Sequence, residues 1–362
     1  MKRTCVCLRK LKLRDSLRYG GVGSGRQPDS SQQQQNPYQI REKVICVTEA
    51  MGGDEKQRLP VIDVGKLGLG NEPSLTDPDW LRVGKEIAAA FQHIGFVYLK
   101  GHGVPGGQVD QIVSAGAKFF DLSQEEKDKF PRDPDKQHGY VTIGRERFNG
   151  IHSYEIREAY DVKRTDGMFP DIAVPEFRPA AADFMDTCMK FTNRILIAMA
   201  LGLDLDRNFF VDTHREIFSD NNTSCLRLLH YPPVALDISE GAIRCGAHTD
   251  YGTITLLFQD DMGGLYVRDR KGQWVSADPI PGTILVNVGD LLQFWTSDKL
   301  IATEHKVLIP EEEVCRRTCR RSTVFFVQPD DPVLIHPLYG ASTFTPVTAR
   351  DHILKRIRET YK

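Results

Sequence analysis

The sequence predicts an α+β fold with a mainly β core, a sandwich or jelly roll flanked by helices. Three observations carry this reading. From Ser224 onward, short runs rich in Val, Ile, Leu and Phe follow one another closely. Turn formers separate them: Gly263-Gly264, Lys271-Gly272, Pro281-Gly282 and Gly289-Asp290. Before Ser224, apolar residues recur instead at three- and four-residue spacing, the period of a helix.

The elements follow in order. Leu-Pro-Val-Ile-Asp-Val, from Leu59, reads as a short strand. Leu81, Ile87, Ala90, Phe91 and Ile94 place a helix over 79–93, ended by Gly95. Phe96 to Leu99 is a strand, and His102 lies in a glycine turn with a structural role. A second helix is predicted over 108–120. Ser123 with Glu126 has the spacing of a capping box and opens a third. Residues 131–178 read as loop-rich. Phe184, Cys188, Phe191, Ile195 and Met199 form the apolar stripe of a long helix over 181–201, with Gly202 as its cap. Eight strands are predicted after it: 225–230, 254–258, 265–268, 273–276, 283–287, 291–294, 305–309 and 322–327. A helix over 348–361 follows. The chain thus divides into an extension (1–58), a helical region (59–220), a β core (221–345) and a C-terminal helix (346–362).

Composition narrows the function. With 362 residues, 40% hydrophobic and 27% charged, the chain can bury a large core. A net charge of −2 offers no positive field for a polyanion, so neither nucleic acid nor a membrane is expected as partner. No apolar run is long enough to span a bilayer. The eight cysteines form no CxxC pair and are expected as reduced thiols. Cys315 and Cys319 lack the second pair that a zinc site needs. The first 35 residues hold eight Lys/Arg and two acids and run into a Gly/Ser/Gln tract. That composition predicts disorder. It leaves two readings of location, cytoplasmic or mitochondrial through a basic presequence.

Two constellations carry chemistry. His248 and Asp250 are spaced i, i+2, so in an extended segment both point to one face. His305 opens a later strand. Two His and one carboxylate can bind Fe(II) facially and leave three positions open. Arg320 and Ser322 also share a face, and an Arg fork beside a hydroxyl suits a carboxylate. The spacing alone leaves Arg320 open to a surface cluster with Arg316, Arg317 and Arg321. Tyr231 ends the strand before the His-Asp pair as either phenolic donor or core aromatic. Cys245 reads as a buried thiol and not a ligand.

The sequence here resembles the isopenicillin N synthase-like Fe(II)/2-oxoglutarate-dependent oxygenases over about 59–340. The resemblance rests on Gly95-Phe96-Val97-Tyr98 with His102-Gly103-Val104, and on Phe119-Phe120-Asp121-Leu122. It continues through Gly139-Tyr140, Glu158 and Asp161, Arg227 to Tyr231-Pro232, and Ala247-His248-Thr249-Asp250. Trp274, Asn287, Gly289-Asp290, His305-Lys306-Val307 and Arg320-x-Ser322 complete it. It implies a double-stranded β-helix core, with His248, Asp250 and His305 as ligands of Fe(II). Arg320, Ser322 and Tyr231 would bind 2-oxoglutarate, and O₂ would be the other cosubstrate. It further implies oxidation, foremost hydroxylation, of a small molecule with release of succinate and CO₂. Halogenating members lack the carboxylate that Asp250 provides. Two departures stand out: Leu229 occupies a position where many plant members carry Asn, and the interval from His305 to Arg320 is long.

Substrate groups are expected in 131–178, with Arg145, Arg147, His152, Tyr154 and Arg157 as candidates and an acidic or carbonyl-bearing substrate favoured if an arginine faces the iron. Trp295 either walls the pocket or packs. Two alternatives remain at this level: an iron oxidase of the same fold that does not use 2-oxoglutarate, and a catalytically silent binding protein. The sequence leaves the oligomeric state open.

Overall fold

The computed structural model describes residues 58–146, 148, 155–234, 243–309, 317–339 and 345–360. The candidates Arg147, His152 and Tyr154, the extension up to residue 57, and the acidic segment 311–313 lie outside the described residues.

The elements run β1 (Val61–Asp63), α1 (Asp79–His93), β2 (Phe96–Lys100), α2 (Gly106–Phe120), α3 (Gln124–Lys127), β3 (Gly139–Val141), β4 (Glu158–Val162), α4 (Phe177–Gly202) and α5 (Phe209–Asp212). There follow β5 (Cys225–Tyr231), β6 (Cys245–His248), β7 (Ile254–Gln259), β8 (Leu265–Arg268), β9 (Trp274–Ser276), β10 (Thr283–Val288), α6 (Asp290–Trp295), β11 (His305–Val307) and β12 (Arg320–Val327). Two short paired strands, β13 (Leu334–Ile335) and β14 (Val347–Thr348), precede the C-terminal helix, Ala349–Thr360.

A major sheet has the order β1-β2-β10-β7-β12-β5-β4-β3, and a minor sheet the order β6-β11-β8-β9. Strand alternation divides their side chains between two cores. Leu226, Leu228, Leu256, Ile284, Val286 and Phe325 face the helices and meet Phe184, Phe191 and Ile195 of α4. Leu229, Tyr231, Leu285 and Val324 turn to the other side and meet Leu265, Val267 and Val307 of the minor sheet. This is the jelly roll expected from the sequence. Four of the eight major strands come from residues 59–220, so that region and residues 221–345 share one sheet.

Helix 79–93 and strand β8 lie where the pattern puts them, and the helix predicted over 108–120 begins two residues earlier, at Gly106. The Ser123 hydroxyl accepts the Glu126 N–H at 3.3 Å, half of the expected capping box. Gly263, Gly264, Gly272 and Gly282 all have positive φ, the conformation their turns require.

Four expectations need correction. The loop-rich reading of 131–178 misses the buried strand β3 and also β4, whose residues are all buried. Three of the first four residues of β4 are polar or phenolic, and the fold satisfies its charges: Glu158 meets Lys127 at 2.8 Å and His230 at 2.8 Å, and Asp161 meets Arg132 at 2.7 Å and Arg227 at 2.6 Å. The predicted strand 291–294 is helical. Leu291, Leu292 and Trp295 are buried on one side of α6, and a run this short does not distinguish the two periods. Gly202 is not a left-handed cap. It is the last residue of α4, where a Cβ would stand 2.1 Å from the Gly84 carbonyl oxygen, so its bare backbone lets α1 approach. Finally, β6 carries His248 and restores the count of eight strands from β5 to β12.

Candidate active site

His248 closes β6 and His305 opens β11, and the two residues are direct cross-strand partners. Asp250 follows two residues after His248. One ligand atom from each of the three residues falls within a single group whose members lie within 4.8 Å of one another. His248 Nε2 is 3.8 Å from Asp250 Oδ1, and His305 Nε2 is 3.7 Å from it. Both separations are too long for a hydrogen bond.

The outer atoms of these side chains are already engaged. His248 Nδ1–H donates to the Gly246 carbonyl at 2.8 Å, and His305 Nδ1–H donates to the Thr303 carbonyl at 3.1 Å. Asn287 Nδ2 donates to Asp250 Oδ2 at 2.7 Å. Two imidazole Nε2 lone pairs and one carboxylate oxygen therefore remain and converge, the donor set for a divalent iron. Burial, then the nearby His305, lower the pKa of His248 and keep it neutral. Burial disfavours charge on Asp250, but the carboxyl is held below its ordinary range, with the Asn287 amide among the groups that favour its charged form. Both protonation states suit metal ligation.

Helix α6 fixes the loop that carries Asp250. Its first N–H groups have no partner within the helix. Asp290, Leu291 and Leu292 donate instead to the carbonyls of Asp250, Tyr251 and Gly252, at 2.7, 3.1 and 3.2 Å. The approach is close enough that a Cβ on Gly289 would meet the Gly252 oxygen at 2.4 Å. The Gly289-Asp290 motif thus acts on the loop of Asp250, a role its reading as a turn did not reveal.

Arg320 opens β12 opposite Tyr231 on β5, and Ser322 lies opposite Leu229. Arg320 is 1% exposed, which excludes the surface-cluster reading. Its Nε donates to the Gly263 carbonyl at 2.9 Å, its Nη1 lies 3.4 Å from Ser322 Oγ, and its Nη2 lies 3.3 Å from Gln259 Oε1. The guanidinium carbon stands 4.9 Å from the centroid of the Tyr231 ring. Tyr231 thus supports Arg320 through its face. Leu229 brings an apolar group beside Ser322.

One cavity, of about 140 Å³, is lined by His248, Asp250, His305, Tyr231, Arg320 and Ser322 together. Cys245 also lines it, with Sγ 3.7 Å from His248 Nδ1; burial pushes its thiol up to about 12, so it stays protonated. Of the substrate candidates, Arg157 reaches this cavity, but Glu155 at 3.0 Å and Glu146 at 3.1 Å meet its charge. Arg145 does not line it. Trp295 does not either: it packs against Phe209 and Phe210 in the helical core, because α6 turns it away from the sheets. Sequence reasoning missed Phe148, Glu146 and, from the C-terminal helix, Ile353 and Ile357, all of which line the cavity. None has a fixed spacing to the His-Asp motif. Arg227 and Asp161 stood in the family motifs without a role, and both line it too.

Residues 59–179 match the family described as non-haem dioxygenase in morphine synthesis N-terminal, and residues 222–329 match the 2OG-Fe(II) oxygenase superfamily. A 2-oxoglutarate-Fe(II) type oxidoreductase, ppzD of Metarhizium rileyi, is 33% identical over 70% of this chain and 77% of its own length. The chain belongs to the 2-oxoglutarate–Fe(II) oxygenase family. This oxygenase is also 30% identical to the homoarginine-6-hydroxylase 2-ODD-C23 of Glycine max, over 77% of this chain and 88% of that protein. Among solved structures, a full-length Neurospora crassa protein in complex with 2-oxoglutarate and thymine superposes with a TM-score of 0.74 at 30% identity, over 86% of this chain and 99% of that one. The oxygenase uses Fe(II), 2-oxoglutarate and O₂, as the family and these relatives indicate. The oxidase reading without 2-oxoglutarate and the silent binding reading are set aside on the same grounds.

Proposed function

We propose that this oxygenase hydroxylates a small organic molecule, with His248, Asp250 and His305 holding Fe(II) and with Arg320 and Ser322 holding the distal carboxylate of 2-oxoglutarate. The observation that carries the assignment is the opening of three uncommitted ligand atoms into the same cavity as a buried arginine with a serine beside it. Bound iron with 2-oxoglutarate supplies the activation of O₂ and the oxidising power, with succinate and CO₂ as co-products.

The chain's own residues do the positioning. Arg320 provides a planar fork in a site shielded from water, where a charge-assisted bond is strong. Tyr231 holds the fork through its ring face and Gln259 from the side. Asn287 fixes which oxygen Asp250 presents. Leu229, Val324, Phe326 and Ile353 give the cavity an apolar lining that excludes water around the reacting groups. A small-molecule substrate is supported by the modest volume of the cavity and by two relatives, one named as a homoarginine hydroxylase and one seen with thymine.

The test is a visible titration of the anaerobic Fe(II)-loaded protein with 2-oxoglutarate. A charge-transfer band in the wild type that is lost in Asp250→Ala and needs far more 2-oxoglutarate in Arg320→Ala is the expected result. Iron that binds without producing a band would overturn the cosubstrate assignment.

A further inference from the structure

A second cavity, of about 880 Å³, lies between residues 128–145 and the C-terminal helix. It shares Arg132, Gln137 and Ile357 with the first cavity, so the two adjoin across those side chains. Its size is that of a ligand site. Pro131, Val141 and Leu354 supply apolar wall.

Four arginines line it: Arg132, Arg145, Arg350 and Arg358. Two are committed to carboxylates outside its lining, Arg132 to Asp161 at 2.7 Å and Arg350 to Asp331 at 2.5 Å. Arg145 and Arg358 differ. Both are exposed, and neither guanidinium has a hydrogen bond or ion pair among the described residues. The two acids of the lining, Asp128 and Asp135, make no ion pair with either. Asp128 accepts instead from Gln124 at 2.7 Å. Two guanidinium forks without a partner among the described residues thus border one concavity that adjoins the proposed site of oxidation. Such forks match a carboxylate or phosphate with two parallel N–H···O bonds.

We infer that this second cavity is a substrate vestibule, in which Arg145 and Arg358 hold an anionic tail while the oxidisable part of the same molecule passes Ile357 toward the metal. The inference rests on the proposed function. It names the substrate class as an organic acid, carboxylate or phosphate, with an uncharged body. Arg145 therefore keeps the role of substrate group at a distance from the metal.

The test uses the full chain with saturating 2-oxoglutarate and Zn(II) in place of Fe(II), so that Arg320 is occupied. Three fluorescent probes are titrated: 2-naphthoate, 2-naphthyl phosphate and uncharged 2-naphthamide. The wild type is expected to bind at least one anion about tenfold more tightly than the amide. In the Arg145→Gln/Arg358→Gln variant that preference should fall to about twofold or less. Which anion binds better identifies the tail. Equal binding of all three probes, or a preference that survives both substitutions, overturns the vestibule. The Fe(II)–2-oxoglutarate band, recorded on the same two proteins, separates the failures. A band present in both with no anion preference sinks the vestibule alone. An absent band in the wild type sinks the proposed function.

Discussion

The phenyl ring of Phe148 lies parallel to the imidazole of His248, with centroids 4.1 Å apart and planes within 9°. The Arg157 guanidinium lies over the same phenyl ring at 4.9 Å. Glu155 joins these parts. Its Oε1 accepts the N–H groups of Phe148 and Gly246, both at 3.0 Å, and its Oε2 accepts Arg157 Nε at 3.0 Å. A Cβ on Gly246 would stand 3.2 Å from that of Phe148, so the bare backbone two residues before His248 lets the phenyl ring lie against β6. Phe148→Ala removes the support from one face of a proposed metal ligand. Outer groups that orient a ligand are worth about 10- to 100-fold in metal affinity. Anaerobic calorimetry should show Fe(II) binding weakened by about tenfold, with the apo protein's melting temperature little changed. Unchanged Fe(II) affinity would show that the ring merely packs.

Asn287 has a sharper expected effect. Its amide is the donor to Asp250 Oδ2, and both residues are buried. In Asn287→Ala the carboxylate loses this donor, at a cost of about 1–3 kcal/mol. Fe(II) affinity is expected to drop by about 10- to 100-fold. Equilibrium dialysis of the variant against Fe(II) under nitrogen checks this.

Arg320→Lys separates shape from charge. Lysine keeps the positive charge but loses the planar fork and the stacking on Tyr231. The KM for 2-oxoglutarate should rise by about 10- to 100-fold, in line with the loss of a charge-assisted hydrogen bond. The kcat at saturation should change much less. Succinate release at varied 2-oxoglutarate gives both quantities, and an unchanged KM would remove Arg320 from the cosubstrate site.

His214 predicts an acid limb of stability. Burial lowers its pKa from 6.5 to about 4. Its Nδ1–H donates to the Phe210 carbonyl at 2.6 Å, and its Nε2 accepts from Thr253 Oγ1 at 2.8 Å. The unfolded chain takes up this proton near pH 6.5, and the folded chain only near 4. Stability from this group is full above pH 6.5 and declines as the pH falls toward 4, by about 3 kcal/mol in all. Urea unfolding of wild type and His214→Gln at several pH values should give a shallower acid slope in the variant. The other buried histidines contribute equally to both proteins, so parallel slopes would refute the assignment.

The candidate metal triad was legible in the sequence because its information is local. His248 and Asp250 are two residues apart, and the period of an extended chain puts both on one face. Arg320 and Ser322 repeat that geometry, and the β character of their surroundings shows in the run of short apolar segments. The first two helices were legible for the same reason, since their apolar period lies within one segment. Strand β4 was hidden because its charges find partners about 30 to 70 residues away in sequence, and α6 because so short an apolar run does not resolve a period.

The sequence by itself determined the reaction class, the three candidate ligands and the arginine–serine pair that accompanies them. Only the tertiary structure decided which groups surround them. It turned Trp295 into the helical core, paired Arg157 with Glu155 and Glu146, placed Phe148 on His248, and set Arg145 across a cleft from a helix that begins at Ala349. Ligand spacing is a property of one strand, whereas the wall of a cavity is assembled from segments whose meeting depends on the packing of the whole chain.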